Sequence, residues 1–279
     1  MNIVSLIDNY QGNERLKSEH GLCLYIETAH HKILFDTGQS DLFIENAKKM
    51  NIDLSEVDTV VISHAHNDHI GGLIHFLEIN QKAKIYLKRE IFDNRYYSIK
   101  KETKRFIGFP SELLEHKNRF EFVESAFFLL GNQIFITKVD FNYAKPKGNK
   151  LLFKEQNSIF TVDDFAHEQI FAMRSKGGLT VFGGCAHNGI LNVLSTVNRF
   201  LPDEKVIAVI GGFHLIDPNE FTRNETVEEL QFIGNELLRV APEASFYTGH
   251  CTGIRSLKIL AEVMGNKIQK LETGLQIVD

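Results

Sequence analysis

Apolar positions along this chain recur with two periods, and the switches between them lay out a repeated rhythm of strand, loop and helix. The runs "NIVSLI", "LCLYIET" and "KILFDTG" are rich in β-branched and aromatic residues, and the short "AHH" between the last two predicts a hairpin. Asp41 is placed to cap "LFIENAKKM", where Leu42, Ile44, Ala47 and Met50 give a short amphipathic helix. "DTVVIS" reads as a compact buried strand, and "IGGLIHFLEI" resumes a helical pattern after a polar loop. From Lys88 to about Phe165 the pattern turns dense in charge and aromatics, interrupted by a predicted hairpin "FFLLGNQIFITKV" with Gly131 and Asn132 at its turn. This stretch, 88–165, reads as a cover segment inserted into a single unit spanning 1–279. The last third returns to alternation. "EQIFAMRS" and "LTVFGG" flank a turn at Gly177 and Gly178, and the helices "ILNVLSTVNRFL", "TVEELQFIGNELLRV" and "IRSLKILAEVM" then interleave with the strands "KVIAVIGG" and "SFYTGH". Strands alternating with helices predict an α/β fold.

Composition narrows the classes of partner. A length of 279 residues suits one large domain or two modest ones. The formal net charge of -5 supplies no global basic field, so binding to nucleic acid is not expected. The opening "MNIVSLIDNY" has no basic leader, and no stretch approaches the roughly 18 apolar residues of a membrane span, so a cytoplasmic protein is expected. Cys23, Cys185 and Cys251 are widely spaced, lack a CxxC and predict no disulfide framework. The sequence gives no reading of oligomeric state.

The chemistry concentrates in "SHAHNDHIGG", which holds three of the chain's twelve histidines. In an extended loop residues i and i+2 point the same way, so His64 and His66 can offer imidazoles to one ion. Asp68 and His69, in the first turn of the next helix, point elsewhere and can reach a second. Neutral imidazole with carboxylate suits zinc, iron or manganese. Gly71 and Gly72 suit a backbone that passes close to bound metals, although a plain flexible turn would use the same residues.

This arrangement, after an apolar strand and with Asp36 in "FDTG" upstream, resembles the metallo-β-lactamase superfamily. The resemblance implies a four-layer αββα sandwich with a dinuclear site at one edge, and hydrolytic chemistry in most members. The motifs "RFIGFP", "DDFAHEQI", "GGCAHNGI", "GGFHL" and "TGHCTG" are similar, in order and spacing, to the dihydropterin-ribofuranosylaminobenzene-phosphate synthase-like subfamily. The similarity runs from about Asp36 to Gly253.

On that resemblance, His187 and His250 complete the ligand sets: His64, His66 and His187 for the first metal, and Asp68, His69 and His250 for the second. Cys185 stands where many members carry a bridging aspartate, and is either a thiolate ligand or a buried neighbour. His167 is an alternative third ligand of the first metal, while the subfamily motif emphasises Glu168 and Gln169. Asp36 is expected to accept a ring N–H from a ligating histidine. His214 is expected as a substrate contact or proton donor, and Asp68 and His214 as the catalytic residues.

Two divalent transition ions, zinc first, with iron or manganese as alternatives, would activate water against a small anionic metabolite that carries phosphate. A transferase of the synthase type and a non-catalytic metal-binding protein are the other readings. The basic and aromatic side chains of the cover, Lys88, Arg89, Arg95, Lys100, Lys101, Lys104 and Arg105 with Phe92, Tyr96, Tyr97 and Phe106, are expected to hold an anionic substrate with a heterocyclic portion. Arg105 leads that set.

Overall fold

Two-residue periodicity sorts the side chains of the central strands into two cores. Ile33 and Phe35 face one apolar cluster while Leu34 between them faces another. The same split runs through Val60, Val61 and Ile62, and in the second half through Ile134, Phe135 and Ile136. Strand side chains point alternately to opposite faces, so runs this continuously apolar need both faces covered.

The computed structural model describes residues 1–218 and 224–278, and among these the strands form two seven-stranded sheets and one four-stranded sheet. Phe35, Phe135, Phe171 and Phe182 fill the space between the two larger sheets. The helices Leu42–Lys49 and Leu73–Ile79 cover the outer face of the first sheet through Phe43, Ala47, Leu73 and Phe76. The helices Ile190–Phe200, Val227–Val240 and Ile254–Met264 cover the second through Leu194, Val197, Leu230, Leu237 and Leu260. This is the αββα sandwich that the resemblance implied. No helix among the described residues is long and apolar enough to cross a membrane.

Strand direction places the site. Lys32–Phe35 and Thr59–Val61 run parallel in the first sheet, and Leu179–Gly183, Val206–Gly211 and Ser245–Thr248 run parallel in the second. The loops that follow these five strands meet at one edge of the sandwich. Crevices outside the carboxyl ends of parallel strands are where open α/β sheets bind ligands.

Both predicted hairpins form, one pairing Cys23–Glu27 with Lys32–Phe35 and the other Phe127–Leu130 with Gln133–Ile136. Gly131, at φ 61°, supplies the left-handed residue that a two-residue turn needs.

Three expectations are corrected. Asp41 makes no side-chain cap; Leu42 N–H donates to Ser40 Oγ instead, because the Glu19 carboxylate accepts from Ser40 and Gln39 and fixes this loop. The helical run after the histidines is broken into Asn67–Ile70 and Leu73–Ile79. Gly71 and Gly72 lie at the break, where a Cβ would stand 2.6 Å from the Gln39 carbonyl oxygen and 2.2 Å from that of Thr37, so their smallness serves the neighbouring loop.

The stretch 88–165 is not one insertion. Its strands Phe120–Phe122, Phe127–Leu130 and Gln133–Ile136 extend the two main sheets, because their apolar side chains have a core to face. Only Arg95–Lys100, Thr103–Phe106, Leu152–Gln156 and Ile159–Val162 form the separate four-stranded sheet.

Candidate metal centre

Beyond Val61 the chain leaves the first sheet as the loop that carries His64 and His66, both buried, and enters the short Asn67–Ile70 helix with Asp68 and His69. His187 and His250 arrive from the second sheet. His69 Nε2 lies 3.0 Å from His250 Nε2 and 3.2 Å from Cys185 Sγ. Asp68 Oδ2 lies 3.2 Å from His250 Nε2 and 3.7 Å from His69 Nε2. His187 Nε2 lies 3.1 Å from His66 Nδ1, and the rings of His64 and His187 are 5.0 Å apart. Ligand atoms of Asp68, His69, Cys185 and His250 fall within 4.8 Å of one another, as do those of His64, Cys185 and His187. The six histidine and aspartate residues expected as ligands are thus brought together, with Cys185 common to both groups.

Hydrogen bonds behind the rings fix which nitrogen faces inward. Asp36 accepts from Ser63 N–H, Ser63 Oγ–H and His69 Nδ1–H, each at 2.7 Å. With its proton given to Asp36, Ser63 Oγ accepts from His64 Nδ1 at 2.8 Å. His187 Nδ1 donates to Asn149 Oδ1 and His250 Nδ1 to Asn9 Oδ1. Each of these four rings therefore turns its Nε2 to the centre. His66 presents Nδ1 instead, its Nε2 aimed at Asp163 across 3.8 Å.

The donor set fits a divalent cation. His64 Nε2 is buried with no hydrogen-bond partner among the described residues, and an unpartnered lone pair in a dry interior is costly unless an electrophile faces it. Burial first, then neighbouring imidazoles, hold His64 and His187 well below the usual histidine range, so both stay neutral and able to ligate. Burial opposes ionisation of Asp68, but His69, His20 and His250 outweigh it and keep the carboxylate charged. Burial would also lower His250, yet Cys251 and Asp68 lift it to about 9, so a proton occupies this anionic corner where an ion would displace it.

His167 stands apart from the Cys185 groups: its Nδ1 accepts Ala65 N–H, its Nε2 lies 3.0 Å from Asp163 Oδ2, and with His66 and Asp163 it forms a further group whose ligand atoms fall within 4.8 Å of one another. Glu168 accepts from the backbone of His187 and Asn188 and holds the loop that carries His187. Gln169 ties the strands together by donating to the Ile62 carbonyl. His214 sits at φ 50°, its ring 4.2 Å from that of His187, with both ring nitrogens buried and unpartnered. Asp36, Ala186, His214 and His250 all adopt left-handed backbone conformations at strand ends around this centre. Such strain persists where surrounding contacts over-determine it, commonly at functional sites.

Sequence reasoning missed Asn9, His20, Ser63, Asn149 and Asp163. Ser63 adjoins the first histidine, and Asp163 stands four residues before His167, so both carried a local signal. Asn9, His20 and Asn149 come from loops remote in sequence, and only folding brings them in.

A cleft of about 550 Å³ opens over the centre. Arg105 and Lys100 line its mouth, as do Ser98 and Thr103, while Ile107, Leu151, Leu152 and Ile216 give an apolar wall. Asn67 N–H donates to the Ile107 carbonyl and ties the "RFIGFP" turn to the histidine loop.

The wider cationic and aromatic set is corrected. Lys88 is buried and donates to the Thr137 and Ala166 carbonyls, Arg89 pairs with Glu124, and Lys104 sits over Tyr97 and Phe160. Arg95 lies over Phe106. Phe92 packs on Phe109, and Tyr96 lies buried against His167. These groups are paired or packed away from the cleft, which Lys100 and Arg105 line.

An αββα sandwich with an HxHxDH loop at one edge, closed by histidines from the facing sheet, is the metallo-β-lactamase fold. The chain matches the family model of the metallo-beta-lactamase superfamily over residues 18–139. Over 98% of its length it is 28% identical to a Methanocaldococcus jannaschii protein named 7,8-dihydropterin-6-methyl-4-(beta-D-ribofuranosyl)-aminobenzene-5'-phosphate synthase, 94% of which is covered. It is 29% identical to Tm1679, described as a metal-dependent hydrolase of the β-lactamase superfamily, with a TM-score of 0.84 over 100% of this chain and 99% of that one. Zinc-bound PqqB from Methylobacterium extorquens shares the fold, with a TM-score of 0.57 at 10% identity over the full length of both chains.

Proposed function

We propose that this chain is a two-ion metalloenzyme of the synthase type, in which the amine nitrogen of one small, phosphate-bearing partner forms a bond to carbon of a second and displaces a phosphate-type leaving group from it. The observation that carries the reading is the convergence of inward ring nitrogens, one of them without any partner, at the base of a cleft with a cationic mouth. Sequence reasoning put hydrolysis first and transfer second. The relative named as a synthase, similar over 98% of this chain, supports the second. Hydrolysis is the alternative, favoured by the description of Tm1679.

His64, His66 and His187 would hold one ion, and Asp68, His69 and His250 the other, with Cys185 between them. Zinc suits these donors, and iron or manganese is compatible. Ions bound there would supply Lewis acidity, able to polarise a phosphoryl oxygen and offset charge on a leaving group. Arg105 and Lys100 hold the anionic end of a substrate by charge-assisted hydrogen bonds, and the four-stranded sheet acts as the substrate cover. Ile107, Leu151, Leu152 and Ile216 keep water from the reacting end. His214, with its ring nitrogens unpartnered, can hold a proton at a substrate oxygen.

The test is to incubate the zinc-loaded chain with a dihydropterin whose 6-methyl carbon carries a phosphate or diphosphate leaving group and a ribofuranosylaminobenzene phosphate, and to follow the coupled product and the released group by mass spectrometry. A coupled product that needs both partners supports the reading. Phosphate release from either partner alone, with no coupled product, would establish hydrolysis in its place.

A further inference from the structure

His20 is exposed at the rim, yet it touches the buried centre. Its Nε2 lies 3.2 Å from Asp68 Oδ2, with 62% of its side chain accessible against 16% for Asp68. Its ring stacks on that of His250, with centroids 5.1 Å apart and planes 29° from parallel. The backbone holds it there: Leu22 N–H donates to the Asp68 carbonyl, and Gly21 allows the approach, since a Cβ would stand 2.8 Å from that same oxygen.

The tautomer of His20 follows from its neighbours. Gly21 N–H can only donate, so the Asn9 side-chain atom it meets at 3.1 Å is the oxygen. The other end of that amide, Nδ2, donates to the His250 carbonyl at 2.9 Å and faces His20 Nδ1 at 3.1 Å. His20 Nδ1 is therefore an acceptor, and the ring carries its proton on Nε2, pointed at Asp68. One asparagine thus sets two rings, His250 with Nδ1–H and His20 with Nε2–H.

We infer that His20, oriented by Asn9, is a positioning residue that holds the Asp68 carboxylate in place for the second ion and has little effect on the first. The inference rests on the two-ion reading above. Groups that orient a metal ligand from outside typically contribute ten- to hundredfold in metal affinity. His20 contacts Asp68 and His250, both of the second set, while none of its contacts reaches His64, His66 or His187.

The test is a zinc titration of the metal-free full chain, read by competition with a chromophoric chelator, together with the visible spectrum of the cobalt form. His20→Phe keeps a stacking ring and removes the donor; His20→Gln keeps an N–H. Expected is a second-ion affinity ten- to hundredfold weaker in His20→Phe and at least partly restored in His20→Gln, with first-ion affinity within about threefold of wild type in both. First-ion binding doubles as the check that each variant folds. Unchanged second-ion affinity in His20→Phe, or equal loss of both ions, would overturn the inference. If the wild-type chain binds no second ion, it is the two-ion reading that fails.

Discussion

Asp36 is the residue through which one substitution should disturb both ligand sets at once. Its carboxylate is fully buried and accepts from Ser63 N–H, Ser63 Oγ–H and His69 Nδ1–H. Asn at this position keeps the shape and tolerates the backbone φ of 58°. One oxygen can still take Ser63 N–H, but an amide NH₂ then faces two donors. His69 must surrender its Nδ1 proton and carry it on Nε2, where it blocks the lone pair meant for the second ion. Ser63 Oγ, now receiving from the amide, would donate to His64 Nδ1 and push that ring into the same wrong tautomer at the first ion.

Loss of the charge-assisted bond should cost about 1.5–3 kcal/mol of stability in Asp36→Asn, well inside the roughly 5–15 kcal/mol of a folded domain. Affinity for both ions should fall about ten- to hundredfold each. Urea denaturation of the metal-free chain measures the first quantity, and chelator competition the second. Two ions retained within threefold of wild-type affinity would refute the tautomer relay.

Three further outcomes follow from the same geometry. Cys185→Ser should lower metal occupancy and abolish the sulfur-to-cobalt charge-transfer band of the cobalt form, whereas an unchanged spectrum would make Cys185 a buried neighbour. Arg105→Ala should weaken binding of the phosphate-bearing partner about ten- to hundredfold with metal content intact, and calorimetry showing equal affinity would return this strand to ordinary surface. Burial lifts Asp8 to about 6 from 3.8, against the pull of His250, so in the metal-free chain the folded state keeps a proton that the unfolded state has lost between those values. The contribution of Asp8 to stability should therefore be full below pH 4 and fall by about 3 kcal/mol as pH rises through 6, read as the pH-dependent difference between wild type and Asp8→Asn; identical urea profiles in both proteins would contradict it.

The α/β alternation was legible because its strands are short and apolar on both faces and are separated by amphipathic helices, whereas the sandwich itself followed from the resemblance carried by the histidine motifs. Ligand spacing was legible for the same local reason: His64, His66, Asp68 and His69 share one loop whose geometry the sequence dictates. The orienting residues were not, since Asn9 and Asn149 act through contacts 241 and 38 residues away in sequence and look like any loop asparagine. The cover was misread because composition reports charge and aromatics without showing whether they face a ligand or each other. Lys88, buried under two carbonyls, and Lys104, laid over Tyr97, have the same sequence signature as Arg105 at the cleft.

The central claim, that two separable ligand sets meet at the edge of this sandwich, is tested most directly by counting metal. Elemental analysis of the chain purified under metal-replete conditions should give two transition-metal ions per chain, and Asp68→Ala should give one. No bound metal in the wild-type chain, or two ions retained in Asp68→Ala, would contradict the account.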